Sequence, residues 1–87
     1  MRSTIFTSKS PSIDLHGEVP ETIELIINDF VSYNVILKNE YVRVIHGKGS
    51  GAIKNRLYEI LKNNDNVLDF KLNNWNVGET IIRLKID

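Results

Sequence analysis

The sequence contains no cysteine, which excludes disulfides, thiolate metal sites and a cysteine nucleophile. Long apolar runs are also missing. No stretch approaches the ~18 apolar residues that a bilayer-spanning helix needs, and Met1-Arg2-Ser3-Thr4-Ile5-Phe6 lacks the apolar core of a signal peptide. No membrane association is expected, and the cytoplasm is the expected compartment. Eleven basic residues balance eleven acidic ones, so there is no net charge. The whole molecule therefore offers no overall electrostatic footprint for a polyanion. No internal repeat is present, histidine occurs only at His16 and His46, and three of the five glycines fall within five residues, at Gly47, Gly49 and Gly51.

What is present is ordinary for a globular chain. A hydrophobic content of 41% with 25% charged residues separates it from a disordered tail. Its 87 residues can enclose one core but hardly two. A domain of this size buries only about 60% of the surface its unfolded chain exposes, so its stability margin is thin. Charge is unevenly spread along the chain. Residues 1–40 hold Asp14, Glu18, Glu21, Glu24, Asp29 and Glu40 against Arg2, Lys9 and Lys38, whereas residues 41–62 hold Arg43, Lys48, Lys54, Arg56 and Lys62 against Glu59 alone. A phosphate-binding surface is expected in the second stretch.

Residues 1–10 are polar and lack a period, so they read as a flexible lead or linker, with the domain proper over 11–87. Ser12-Ile13-Asp14-Leu15-His16 alternates like a short strand closed by Gly17. Pro20 suits a first helical turn, and Glu21 and Glu24 suit its positive end. Val19, Ile23, Ile26, Ile27 and Phe30 then form an apolar stripe continuing towards residue 37. Tyr41 to His46 is a β-branched and aromatic strand running into the glycine segment, and Ile53, Leu57, Ile60 and Leu61 mark a second helix that stops at the Asn-rich residues 63–66. Two alternating strands close the chain. Leu68, Phe70 and Leu72 oppose Asp69 and Lys71 in the first, and Ile82, Leu84 and Ile86 oppose Arg83 and Lys85 in the second. The order β-α-β-α-β-β predicts a two-layer α/β sandwich. Its mixed four-stranded sheet carries both helices on one face, with a parallel first pair and an antiparallel closing pair across residues 73–78.

If the first two strands are parallel, Asp14-to-Gly17 and His46-to-Gly51 meet at the carboxyl edge of the sheet, where open α/β sheets bind ligands. Period-two alternation puts Asp14 and His16 on the same side of their strand. Imidazole ordinarily titrates at about 6.5, so it can exchange a proton near neutrality, and a carboxylate can orient the ring. Such a pair suits phosphodiester cleavage, in which the RNA 2′-hydroxyl is an internal nucleophile and no metal is obligatory. The plainer reading is that His16 satisfies a strand-end hydrogen bond. Gly47-Lys48-Gly49-Ser50-Gly51 before a helix offers amides and an ammonium to a phosphate, though neither Walker nor dinucleotide spacing is completed, and a purely structural turn fits too. Lys54 and Arg56 extend the positive zone or merely solvate a helix. Arg43, Lys71, Arg83 and Lys85 read as a solvated sheet face. Trp75 reads as a cap on the core, with base stacking as the other possibility. No cofactor is expected. A divalent metal on Asp14, His16 and His46 is the minor alternative, because only three candidate ligands exist and no metal motif supports them.

These motifs resemble the Smr (small MutS-related) domain. Ile13-Asp14-Leu15-His16-Gly17 resembles the family's L-D-L-H-G. Val44 through Lys54 is similar to the I-I-H-G-K-G-T-G-x-L-[KR] run of the Smr domain that ends bacterial MutS2 proteins. Val67, Phe70 and Gly78-Glu79-Thr80-Ile81-Ile82 fall where the family has its closing V-x-x-F and G-x-T-x-V elements, so about 75 of the 87 residues are covered. One departure stands out: the family usually has a glycine pair shortly before Gly78, where this chain has Trp75-Asn76-Val77. The resemblance implies a fold like the C-terminal domain of bacterial translation initiation factor three. It further implies endonuclease activity on RNA or DNA and a link to ribosome rescue. An isolated domain of this kind is expected to be monomeric and its host protein dimeric. Position by position, Asp14 and His16 match the family's catalytic pair, and Gly47, Lys48 and Gly49 its second segment. His46 stands where the family often has threonine, and His16 where many MutS2 domains have arginine.

Overall fold

The computed structural model describes residues 10–49 and 51–87. The expected lead, apart from Ser10, lies outside them, as does Ser50. Strand β1 (Ser12–Asp14) is followed by a 3-10 turn at Pro20–Thr22, then helix α1 (Ile23–Ile36), strand β2 (Tyr41–Ile45), helix α2 (Ala52–Lys62) and strands β3 (Val67–Asn73) and β4 (Asn76–Leu84). β1 and β2 are parallel, with Ser12 opposite Arg43 and Asp14 opposite Ile45. β3 and β4 form an antiparallel hairpin, as the closing alternation suggested. The sheet order is β1-β2-β4-β3. The last strand thus inserts antiparallel between β2 and β3, and α2 carries the chain across that gap.

Residues of period two on β2 and β4 supply one side of the core, Val42 and Val44 with Ile82 and Leu84. Ile23, Ile27 and Val31 of α1 and Leu57, Ile60 and Leu61 of α2 supply the other. Both helices therefore cover one face. Tyr58 extends the layer by meeting Phe70 edge-on, with ring centroids 4.9 Å apart.

Three local expectations differ from the structure. α1 begins at Ile23 rather than Pro20. Pro20 opens a tighter turn in which the Thr22 hydroxyl donates to the Val19 carbonyl and the Glu18 carboxylate, leaving Val19 half exposed instead of on the buried stripe. In β3 the register shifts between Val67 and Asp69, and Leu68 is turned out to solvent; a bulge adds one residue and breaks the strict alternation. β4 starts at Asn76, so the connection shortens to Asn74 and Trp75.

α1 ends where Lys38 takes a left-handed conformation (φ 61°). The Lys38 amide donates to the Val35 carbonyl and the Asn39 amide to that of Asn34, a closure that usually selects glycine. Buried Asn34 completes it by donating to the Phe30 carbonyl and accepting from the Asn39 side chain.

Candidate functional site

At the end of β1 the Leu15 amide still donates to the Ile45 carbonyl, continuing the pairing with β2. The Glu18 amide then donates back to the Leu15 carbonyl across a turn with Gly17 at φ 86°. A positive φ at the third position of a turn favours glycine. The same turn places His16 at an exposed corner. The Asp14 carboxylate accepts the His16 main-chain amide at 2.9 Å. β1 therefore ends at Asp14, two residues before the expected end at His16, and the carboxylate orders the turn that carries the imidazole rather than the ring itself. Among the described residues the His16 ring has no hydrogen-bond partner.

The end of β2 is built differently. The amides of His46 and Gly47 both donate to the Gly78 carbonyl, each at 2.9 Å, so the glycine segment is tied to the start of β4. Gly78 lets the two segments approach closely: a Cβ there would lie 3.3 Å from main-chain atoms of Gly47 and from Lys48 Cγ, so the loop would have to give by a few tenths of an ångström to admit one. Gly51 (φ 92°) turns the chain into α2. The His46 ring is held at both nitrogens: Nδ1 is 2.9 Å from the Gly47 carbonyl and Nε2 is 2.8 Å from Thr80 Oγ1. A carbonyl can only accept, so the proton of the neutral ring sits on Nδ1 and the Thr80 hydroxyl donates to Nε2. Thr80 in turn accepts from the Tyr58 hydroxyl at 3.0 Å. His46 therefore braces the loop from inside.

Lys48 and Lys54 have no acidic partner among the described residues. With Gly47, Gly49, Gly51 and Val77 they border a cleft of about 140 Å³. A second hollow of about 100 Å³ adjoins it, reaching from His46 to Ile53. Arg56 does not join them, since its guanidinium donates to Glu24 at 2.9 Å and Glu59 at 3.2 Å and links the two helices. A wider hollow of about 580 Å³ between Glu21, Glu24, Leu25 and Asn28 has a carboxylate lining unsuited to phosphate. Among the described residues no three of His, Asp, Glu or Cys gather as metal ligands.

Two features escaped the sequence. The Arg43 guanidinium, expected on a solvated face, is only 18% exposed and pairs at 2.9 Å with Glu79, itself 6% exposed. Glu79 also accepts from Asn73 Nδ2 at 2.7 Å, and Asn73 Oδ1 accepts the Trp75 amide at 2.9 Å. Trp75, expected to cap the core, is 97% exposed at the hairpin tip. The pairing of β2 with β4, which puts Ile45 opposite Glu79, is the signal that was needed.

Asp14, His16, the glycine segment and the hairpin tip thus lie along one edge of the sheet. Over residues 13–85 the sequence matches the model of the Smr domain. The chain belongs to the Smr family. This Smr domain is 31% identical over 88 residues to endonuclease MutS2 of Ligilactobacillus salivarius, across 98% of this chain and 11% of that protein. It is 29% identical over 69 residues to endonuclease MutS2 of Halothermothrix orenii, across 79% of this chain and 9% of that protein. It therefore spans about a tenth of the length of these curated relatives. Its fold is that of the crystal structure of the Smr domain of Thermus thermophilus MutS2, with a TM-score of 0.82 at 24% identity over 86% of this chain and 98% of that one. YdaL, a stand-alone small MutS-related protein from Escherichia coli, gives 0.82 at 17% identity over 98% and 81%.

Proposed function

We propose that this Smr domain binds nucleic acid along the carboxyl edge of its sheet and cleaves phosphodiester bonds there, with His16 as general base. The observation that carries the reading is the sharing of that edge by an exposed imidazole on a hydrogen-bonded turn and two lysines with no acidic partner among the described residues. The name endonuclease, borne by relatives that contain this domain, supports it. On RNA, His16 takes the proton of the 2′-hydroxyl and the 2′-oxygen bonds to phosphorus. The bond to the 5′-oxygen breaks, and that oxygen takes a proton from water, leaving a cyclic phosphate and a 5′-hydroxyl. Lys48 faces the added negative charge of the phosphorane. Asp14 is a positioning residue, acting through the main chain of the turn. Cytoplasmic location, a monomeric domain within a dimeric MutS2-like host, and work on messenger RNA at stalled ribosomes belong to the same proposal.

A second reading, a docking module for nucleic acid or ribosome that does not cut, is favoured by the lack of any hydrogen bond between the His16 ring and Asp14. Incubating the protein with single-stranded RNA and DNA of one sequence, with and without EDTA, separates the two. Cleavage of RNA in EDTA that His16→Ala abolishes and Asp14→Ala reduces is expected. Cleavage indifferent to both substitutions sinks the catalytic assignment, and binding without cleavage establishes the docking reading.

A further inference from the structure

A tryptophan left 97% exposed is costly in a domain whose core is this small. Its main chain is held in place. The Trp75 amide is fixed by Asn73, Asn73 by buried Glu79, and Glu79 by Arg43, an anchoring chain running from the hairpin tip into the sheet. The same tip is joined to the glycine segment by the two hydrogen bonds to the Gly78 carbonyl. Val77, two residues beyond Trp75, borders the cleft that also holds Lys48 and Lys54. An exposed aromatic ring on an anchored main chain, on the edge that carries two lysines with no acidic partner among the described residues, is the pairing that single-stranded nucleic acid requires. Its unpaired bases expose π-faces to stack on, and its phosphates follow the positive groove. A duplex keeps its bases stacked on one another and offers this ring none. The two lysines at the neighbouring cleft favour this occupant over an apolar protein surface.

We infer that Trp75 is a stacking platform for one base of an unpaired strand whose adjacent phosphate lies on Lys48 and Lys54, so that the domain selects single strands over duplex. This rests on the nucleic-acid reading above and adds to it the substrate class and the residue that sets it. Trp75 is the only tryptophan, so its fluorescence reports the event directly. Titration with a single-stranded oligonucleotide is expected to quench the emission, and the duplex of the same sequence to bind more weakly without quenching. Trp75→Ala is expected to weaken single-strand binding roughly 5- to 150-fold, the range one base–aromatic stack supplies. It should leave duplex binding and the salt dependence unchanged, and Trp75→Phe should restore most of the affinity. Lys48→Ala should instead weaken both forms and flatten the salt dependence. Binding that depends on Lys48 but neither quenches Trp75 nor responds to Trp75→Ala overturns the platform and leaves the nucleic-acid reading standing. No binding to either form overturns both. A change in emission that follows protein concentration alone, without nucleic acid, overturns the platform in favour of self-association.

Discussion

The two histidines look equivalent in the sequence, each preceding a glycine at a strand end, and the structure divides them. His46 gives both ring nitrogens to the protein, whereas His16 gives neither to any of the described residues. Replacing His46 by alanine should therefore lower stability more than catalysis, and His16→Ala the reverse, as seen by comparing urea midpoints with cleavage rates. Thr80→Val keeps the shape of a fully buried side chain but leaves His46 Nε2 without its donor and the Tyr58 hydroxyl without its acceptor. A loss of about 1–3 kcal/mol is expected in urea unfolding. Gly51→Ala forces a Cβ onto φ 92° and should cost about 1–2 kcal/mol in the same measurement. The glycine segment was legible because its composition is unusual. The Thr80–His46 pair was not, because its members are 34 residues apart and a threonine in a strand signals nothing by itself.

At the scale of elements, hydrophobic period and breakers located both helices and all four strands, with β2, β4 and the helices burying regular faces. Boundaries failed where a local hydrogen bond overrode the period. The Asp14 carboxylate ends β1 before His16, and the bulge in β3 expels Leu68. The insertion of β4 between β2 and β3 was illegible, because strand order depends on which edges pair and alternation reports only which face is buried. One element end is under strain. Lys38 occupies a left-handed position that glycine adopts freely. Lys38→Gly is expected to raise stability by about 0.5–1 kcal/mol, and a lowered thermal midpoint would show that the Asn34–Asn39 clasp already offsets that strain. Removing an anchor works the other way. Glu79→Ala leaves Arg43 without its carboxylate and should cost about 3 kcal/mol, accompanied by greater mobility of the Trp75 ring in fluorescence anisotropy.

At the scale of the molecule, charges that cancel in the sequence are paired unevenly among the described residues. Arg43, Arg56 and Arg83 are paired with Glu79, Glu24 with Glu59, and Glu40 respectively, which leaves Lys48 and Lys54 as the cations at the cleft. Two phosphate contacts predict a modest salt slope for single strands, about −1.4 in log K against log salt, falling by about 0.7 with each lysine removed. A much steeper slope would place further cations in the interface. The link between cleft and hairpin is built from one main-chain carbonyl, that of Gly78, shared by two amides. No side chain of residues 74–77 takes part in those two bonds. Asn76 does hold the Gly78 amide through its side-chain oxygen, but Trp75 has no such part, so what the domain reads at position 75 and how firmly its phosphate cradle is held are separable traits. Exchanging Trp75 for another side chain would retarget the edge while its foundation stayed in place.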